Sequence, residues 1–290
     1  MAIWITGSHG MLGTEASNEC RRLNLDLIET DAEVDITDPF VLRDYAEGRR
    51  IECIINCAAY TAVDRAEEET DLAFRLNATG PANLAKLAAQ LGVRFIHVST
   101  DYVFDGSQDR PYRPDDEPNP CCAYGRSKLE GERKVFEILP DAAIVRTAWL
   151  YGRRGQNFVN AMLRLFSSRD EVKVVDDQRG SPTLADDLAA ALVGMAASER
   201  KPSGIYHFTN AGQTTWYGFA QEILRLASEA GLVRRDVKLS PIGTDRYPTP
   251  AERPAYSVLD CARIAEEFGI TPRRWQEALA SNMARLKEEV

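Results

Sequence analysis

The order of residues predicts an α/β fold, a Rossmann-type doubly wound parallel sheet with a smaller C-terminal α/β region. Two observations carry the prediction. The chain opens on the apolar run Ala2-Ile3-Trp4-Ile5-Thr6, which enters the turn Gly7-Ser8-His9-Gly10-Met11-Leu12-Gly13 and then a helical pattern reaching Leu23, a strand-turn-helix unit. Short apolar runs and helical stretches then alternate through the first half, as in a parallel sheet covered on both faces and linked by right-handed crossovers.

After the opening unit, strands are expected at 27–30, 53–57, 94–99 and 143–147, with helices near 39–47, 71–91 and 124–139 between them. Such sheets bind ligands at the carboxyl ends of their strands. Beyond Trp149 the alternation loosens. Strands are expected at 172–175 and 205–208, while 176–183 and 240–254, rich in Pro, Gly and charge, read as loops. Thr271-Pro272 reads as an N-cap and helix-starting proline, followed at helical spacing by Trp275, Leu279, Met283 and Leu286.

The 290 residues are 44% hydrophobic, enough for a sizeable core in one large or two modest domains. A net charge of −9 argues against a sequence-independent nucleic-acid surface, and leaves room for a small basic pocket. No apolar run is long enough to span a bilayer or to serve as a signal peptide, and the six cysteines show no framework spacing. A cytoplasmic chain with reduced thiols, binding neither nucleic acid nor membrane, is the expectation. His9, His97 and His207 are scattered, so no metal site is expected.

A glycine turn between a strand and a helix lets the backbone approach a pyrophosphate, whose charge the free helix N–H groups and the dipole stabilise. Gly7, Gly10, Met11, Leu12 and Gly13 form the expected cradle, strengthened by Asp31 at the end of the second strand, eighteen residues past Gly13. Asp31 can accept from adenosine ribose hydroxyls and favours NADH, since a 2′-phosphate meets like charge there; it can also simply begin a turn. Asp35-Ile36 and Cys57-Ala58-Ala59-Tyr60-Thr61 fall at or after the second and third strands. They can flank an adenine and its phosphates, or be packing. The chain then divides into a dinucleotide-binding unit, 1–150, and a mainly substrate-binding region, 151–290, with some segments returning to the first unit.

Ser99-Thr100-Asp101 follows the fourth strand, so its hydroxyls should emerge on the same rim and could hold a substrate carbonyl. Tyr124 and Lys128, four apart, share a helix face, and an ammonium beside the phenol is expected to lower its pKa toward that of a working proton donor. Glycine turn, Thr100, Tyr124 and Lys128 together resemble the extended short-chain dehydrogenases/reductases. The ordered runs STDYVFDG, YGRSKLEGE, RTAWLYG, DQRGSPT and YPTPAERP, spread over nearly the whole chain, are similar to those of the dTDP-4-dehydrorhamnose reductases within that family.

The resemblance implies reduction of the C4 ketone of dTDP-4-dehydro-β-L-rhamnose to dTDP-β-L-rhamnose with NADPH or NADH, in dTDP-rhamnose biosynthesis for cell-surface polysaccharide. It implies that Thr100, Tyr124 and Lys128 are catalytic, with Lys128 on the nicotinamide ribose, and that Trp149 lines the sugar pocket beside Thr100 and Asp101; Trp149 can instead be ordinary core, since aromatic residues dominate cores as well as pockets. Gly10 to Gly13, Asp31 and Ala59-Tyr60-Thr61 are implied to contact the dinucleotide. Arg253, in a polar loop between prolines, is a candidate for the substrate diphosphate or a solvated loop arginine.

Cys121-Cys122 departs from the family pattern just before Tyr124. Neutral loop variation is expected, against the alternative that alkylation there would crowd the pocket. Rival functions are another NAD(P)-dependent nucleotide-sugar reductase or epimerase, the latter regenerating its cofactor, and a non-catalytic regulatory subunit similar to the methionine adenosyltransferase beta subunit. The sequence leaves open a homodimer and the choice of NADH or NADPH. Isolated carboxylates such as Glu15 and Asp186 do not establish the magnesium associated with some family members.

Overall fold

In the computed structural model, which describes residues 1–233 and 236–288, the opening apolar run is strand β1 (Ala2–Thr6), and its side chains divide between two faces. Ile3 and Ile5 pack with Leu12, Leu188 and Leu192, whereas Trp4 packs with Leu42, Leu84 and Phe95. A period-2 strand that is apolar on both sides is what a sheet covered on each face requires.

Helix α1 (Met11–Arg22) follows, then β2 (Asp26–Thr30), α2 (Pro39–Ala46), β3 (Cys53–Asn56), α3 (Thr70–Phe74), α4 (Gly80–Leu91), β4 (Arg94–Thr100), α5 (Ala123–Ile138) and β5 (Ala143–Thr147). Later come β6 (Leu150–Tyr151), α6 (Phe158–Ser168), β7 (Glu171–Val175), β8 (Arg179–Gly180), β9 (Thr183–Leu184) and α7 (Ala185–Ala197). The chain continues through β10 (Gly204–His207), β11 (Thr214–Thr215), α8 (Trp216–Glu229), β12 (Lys238–Ile242), α9 (Ala262–Phe268) and α10 (Trp275–Glu288).

Strands β10, β5, β4, β3, β1 and β2 lie side by side in that order, every neighbouring pair parallel. Helices α1 and α7 cover one face and α2, α4 and α5 the other, so the fold is the doubly wound α/β, Rossmann-like sheet. The strand order reverses at β1, which lies between β2 and β3, and the crevice at the carboxyl ends of β1 and β3 is where such sheets take ligands. A separate core joins α6, α8 and α10 to β7 through Phe166, Phe219, Ile223, Trp275 and Val172.

Three local expectations are corrected. The stretch 71–91 is not one helix: a π-helical turn at Arg75–Thr79 separates α3 from α4. That wide turn lets Asn77 bond the backbone of Tyr60 at both its N–H (2.8 Å) and its carbonyl (3.0 Å), a use typical of such insertions. Residues 240–242, read as loop, end β12, which pairs in parallel with β7 and tolerates Pro241 because a two-stranded ladder is all edge. Thr271-Pro272 does not start a helix. Ala211 N–H donates to the Arg273 carbonyl (2.8 Å) and Trp275 N–H to the Ala211 carbonyl (3.0 Å), which holds this segment extended until α10 begins at Trp275.

Candidate active site

β1 ends at Thr6, and Gly7 takes a φ of +70° as the chain turns toward α1. A Cβ on Gly13 would stand 2.0 Å from the Gly7 carbonyl oxygen, so the helix can lie on the loop only without a side chain there. Gly10 precedes the helix and supplies no side-chain cap, which leaves first-turn N–H groups for an anion. Asp31, one residue past β2, accepts from the N–H groups of His9 (2.8 Å) and Ala32 (2.9 Å), while its carbonyl accepts from Val34 N–H (3.0 Å) in a turn.

An outer chamber of about 550 Å³ opens beside the turn, bordered by Gly7, Gly10, Asp31, Asp35, Ile36 and Ala58. An inner chamber of about 420 Å³ runs from Met11, Leu12 and Gly13 past Thr61 to Thr100, Asp101, Tyr124, Lys128 and Trp149. Gly10, Cys57 and Ala59 border both, so the N-terminus of α1 stands between them. Tyr60 borders neither: its hydroxyl donates to Glu69 while Asn77 holds its backbone.

At the rim of the inner chamber, Thr100 Oγ1 donates to Asp101 Oδ1 at 2.9 Å and accepts from Tyr102 N–H at 3.2 Å. Burial raises the Asp101 carboxyl to about 6 against the bonds that favour its ionised form. Tyr124, in the first turn of α5, is buried, and burial pushes its phenol up while the Thr100 hydroxyl acts in the opposite direction. One turn on, Lys128 Nζ donates to the Val98 carbonyl at 2.7 Å and lies 3.4 Å from His97 Nε2. Burial lowers Lys128 to about 8. The expectation that Lys128 lowers Tyr124 is therefore reversed in the free chain. The two share a helix face, but both are buried at the floor of the chamber, and desolvation disfavours phenolate and ammonium alike.

Trp149 takes a φ of +48° and forms a wall of the inner chamber together with Trp216. Arg253 borders neither chamber. Its guanidinium donates to both oxygens of Asp64 (2.6 and 2.7 Å) and to the Ala251 carbonyl, so it is not a solvated loop arginine. Cys122 is buried and its Sγ accepts from Gly125 N–H at 3.4 Å as the N-cap of α5. Neither Cys121 nor Cys122 borders the inner chamber, so alkylation would disturb a helix cap instead of crowding a pocket. Glu15 faces Arg153, and Asp186 pairs with Arg285. Among the described residues no acidic, His or Cys cluster is placed to hold a metal, and no helix is long and apolar enough to cross a membrane.

A family model described as the RmlD substrate binding domain matches residues 1–288. A dTDP-4-dehydrorhamnose reductase of Streptomyces griseus is 43% identical over 288 residues, covering 97% of this chain and 93% of the relative. The chain belongs to the dTDP-4-dehydrorhamnose reductase family. Among solved structures of that family, one from Clostridium acetobutylicum superposes with a TM-score of 0.93 at 43% identity, covering 99% of this chain and 100% of the other. Another, from Bacillus anthracis in complex with NADP, gives a TM-score of 0.91 at 35% identity, covering 98% and 99%.

The two chambers meeting at an uncapped helix N-terminus fit a nicotinamide dinucleotide in this reductase, its pyrophosphate at α1 and its two nucleoside halves to either side. Several residues at the site escaped sequence reasoning. Asn77 Nδ2 donates to Ser127 Oγ at 2.9 Å, and Asn56 and His97 lie beneath Lys128. The available signal was polarity out of place: Asn56 ends the otherwise apolar β3 and His97 lies between Ile96 and Val98 in β4, two residues past Ile54 and Phe95 on the same face. Trp216, at the start of α8, carried no signal, because its neighbour Trp149 is distant in sequence.

Proposed function

We propose that this chain reduces the C4 ketone of dTDP-4-dehydro-β-L-rhamnose, giving dTDP-β-L-rhamnose. The observation that carries the reading is the convergence of Thr100, Tyr124, Lys128 and Trp149 on one chamber that continues, past the α1 N-terminus, into a second lined by Asp31. The bound dihydronicotinamide supplies a hydride to the ketone carbon.

The chain's own residues supply the rest. Tyr124 gives its phenolic proton to the ketone oxygen, completing the alcohol. The raised pKa of the buried phenol keeps that proton on the tyrosine until negative charge develops on the substrate. The Thr100 hydroxyl, which donates to Asp101 in the free chain, turns its proton about the Cβ–Oγ1 bond to donate to the same oxygen. Lys128 reaches the nicotinamide ribose from the chamber floor, and Gly10 to Gly13 hold the pyrophosphate. Asp31 receives the adenosine ribose, with Asp35, Ile36, Ala58, Ala59 and Thr61 along the adenine and phosphate path and Tyr60 behind them. Trp149 offers the sugar a flat apolar wall. Arg253 meets the substrate diphosphate only where that diphosphate displaces Asp64.

The test generates the keto sugar from dTDP-glucose with the two preceding enzymes and follows NADPH and NADH oxidation separately. One equivalent of cofactor oxidised per sugar reduced supports the reading. Absence of oxidation, or sugar conversion without net cofactor consumption, overturns it.

A further inference from the structure

The run DQRGSPT, with Asp176 before it, follows β7, and its first residues take hold of two distant segments at once. Asp176 Oδ1 accepts from Thr215 Oγ1 at 2.5 Å, and Thr215 Oγ1 accepts in turn from Gly218 N–H at 3.0 Å as the N-cap of α8. Asp177 accepts twice from Thr244, Oδ2 from its N–H at 2.8 Å and Oδ1 from its hydroxyl at 2.6 Å. Burial acts to raise the Asp177 carboxyl, but the Thr244 bonds outweigh it and hold the group below its ordinary value. An ionised carboxylate can only accept, so the Thr244 hydroxyl proton is committed to Asp177 and Oγ1 is left as an acceptor.

Gln178 joins the two segments. The indole Nε1–H of Trp216 can only donate, so the atom facing it at 3.1 Å is the amide oxygen. The amide nitrogen then points at Thr244 Oγ1, also 3.1 Å away, and donates to it. Every proton in the series Trp216, Gln178, Thr244, Asp177 runs one way, and a turned-over amide would set N–H against N–H. Gln178 is buried and borders neither chamber. Trp216 does border the inner one, and Trp149 is stacked on it there. Trp149 holds a φ of +48°, which a residue with a Cβ adopts only under constraint. The ring it rests on is the one that Gln178 fixes.

We propose that Gln178 is a positioning residue of this reductase: by fixing the Trp216 indole it sets the angle of the Trp149 ring against which the sugar is held. The consequence for the sugar rests on the reductase reading; the setting of the two rings does not. Gln178 touches neither substrate nor cofactor and acts only through the indole pair.

Proton–nitrogen correlation spectra of the unliganded protein read the indole N–H groups of its four tryptophans. The Trp149 signal, assigned by its loss in Trp149→Phe, lies in the ring current of Trp216 and takes its unstacked position in Trp216→Leu. In Gln178→Leu the Trp149 signal is expected to move toward that position. KM for the keto sugar should rise about tenfold while kcat changes by less than about threefold, the pattern of lost uniform binding. Dinucleotide affinity should stay at the parent's. Thr244→Val, at an exposed position, removes only the acceptor of Nε2 and should give the same pattern at smaller amplitude, whereas Thr244→Ser should restore the parent's values. A merely structural Gln178 would lower the melting temperature and leave the Trp149 signal and KM in place. An unmoved Trp149 signal in folded Gln178→Leu, or in Thr244→Val where Gln178→Leu does not fold, overturns the proposal, as does a moved signal with a parental KM. The signal is read without substrate, so a parent that fails to reduce the sugar ends the reductase reading and leaves the setting of the rings to be decided by the spectra.

Discussion

The indole of Trp149 lies flat on that of Trp216, with ring centroids 3.5 Å apart and planes 7° apart. Trp216 Nε1 donates to Gln178 Oε1 at 3.1 Å, and Gln178 Nε2 to Thr244 Oγ1 at 3.1 Å, so the wall of the inner chamber is anchored in the C-terminal region. Trp149 reaches this place only through a positive φ, a strain of about 1 to 2 kcal/mol for a residue with a Cβ. The stacking, worth about 0.5 to 1.5 kcal/mol, offsets much of it.

Gly180 makes room for that ring. A Cβ at this position would stand 2.4 Å from Trp149 Cε2. Gly180→Ala is expected to destabilise the fold by about 1 to 3 kcal/mol, as overpacking does, and to raise KM for the keto sugar while leaving dinucleotide affinity near the parent's. Thermal unfolding and steady-state kinetics check both halves. An unchanged KM would mean that Trp149 does not shape the sugar site.

Tyr124→Phe removes the proposed proton donor and little else, since the phenol is buried and the ring remains. A loss of about 10²–10⁴ in kcat, the usual contribution of general acid catalysis, is expected with an unchanged melting temperature. Cofactor oxidation followed spectrophotometrically decides it. Near-parental turnover would remove Tyr124 from the mechanism.

Asp31 sits in the outer chamber with a carboxylate already holding the His9 and Ala32 N–H groups. A 2′-phosphate placed beside it meets like charge. Asp31→Asn should therefore move the ratio of kcat/KM for NADPH over NADH upward by about tenfold, or about 1.4 kcal/mol. A ratio that stays put or falls would place the ribose elsewhere.

Acid sensitivity has an identifiable source in His207, a buried ring whose Nδ1 lies 3.1 Å from the Tyr112 carbonyl and which burial lowers to about 3. An unfolded histidine takes up its proton near about 6.5, so between there and about pH 3 the unfolded chain binds one more proton at this residue. Stability is thus lost as pH falls, by about 1.4 kcal/mol per unit. Asp101, raised to about 6, acts oppositely: its contribution is complete below about pH 3.9 and is lost as pH rises through 6. His207→Gln is accordingly expected to flatten the fall of urea-unfolding free energy between about pH 6 and 4 by one proton's slope. Parallel curves for parent and variant would contradict the assignment.

The sequence by itself determined what neighbours along the chain decide. The turn at Gly7 and Gly13 follows from steric exclusion a few residues away, and strands β1, β3, β4 and β5 follow from apolar runs whose period is local. Thr100, Tyr124 and Lys128 could be singled out because each is tied to an element end or a helical spacing. Tertiary structure alone decided what these groups are chemically. Tyr124 and Lys128 are displaced in pKa by burial, which no spacing encodes, and His97 lies against Asn56, 41 residues away in sequence. Arg253 is held by Asp64, 189 residues away, and that partner makes a loop arginine part of a clasp between distant segments. Periodicity and sterics are short-range and can be read along the chain. Desolvation and charge depend on which distant residues fold together, and so they are settled only when the chain closes on itself.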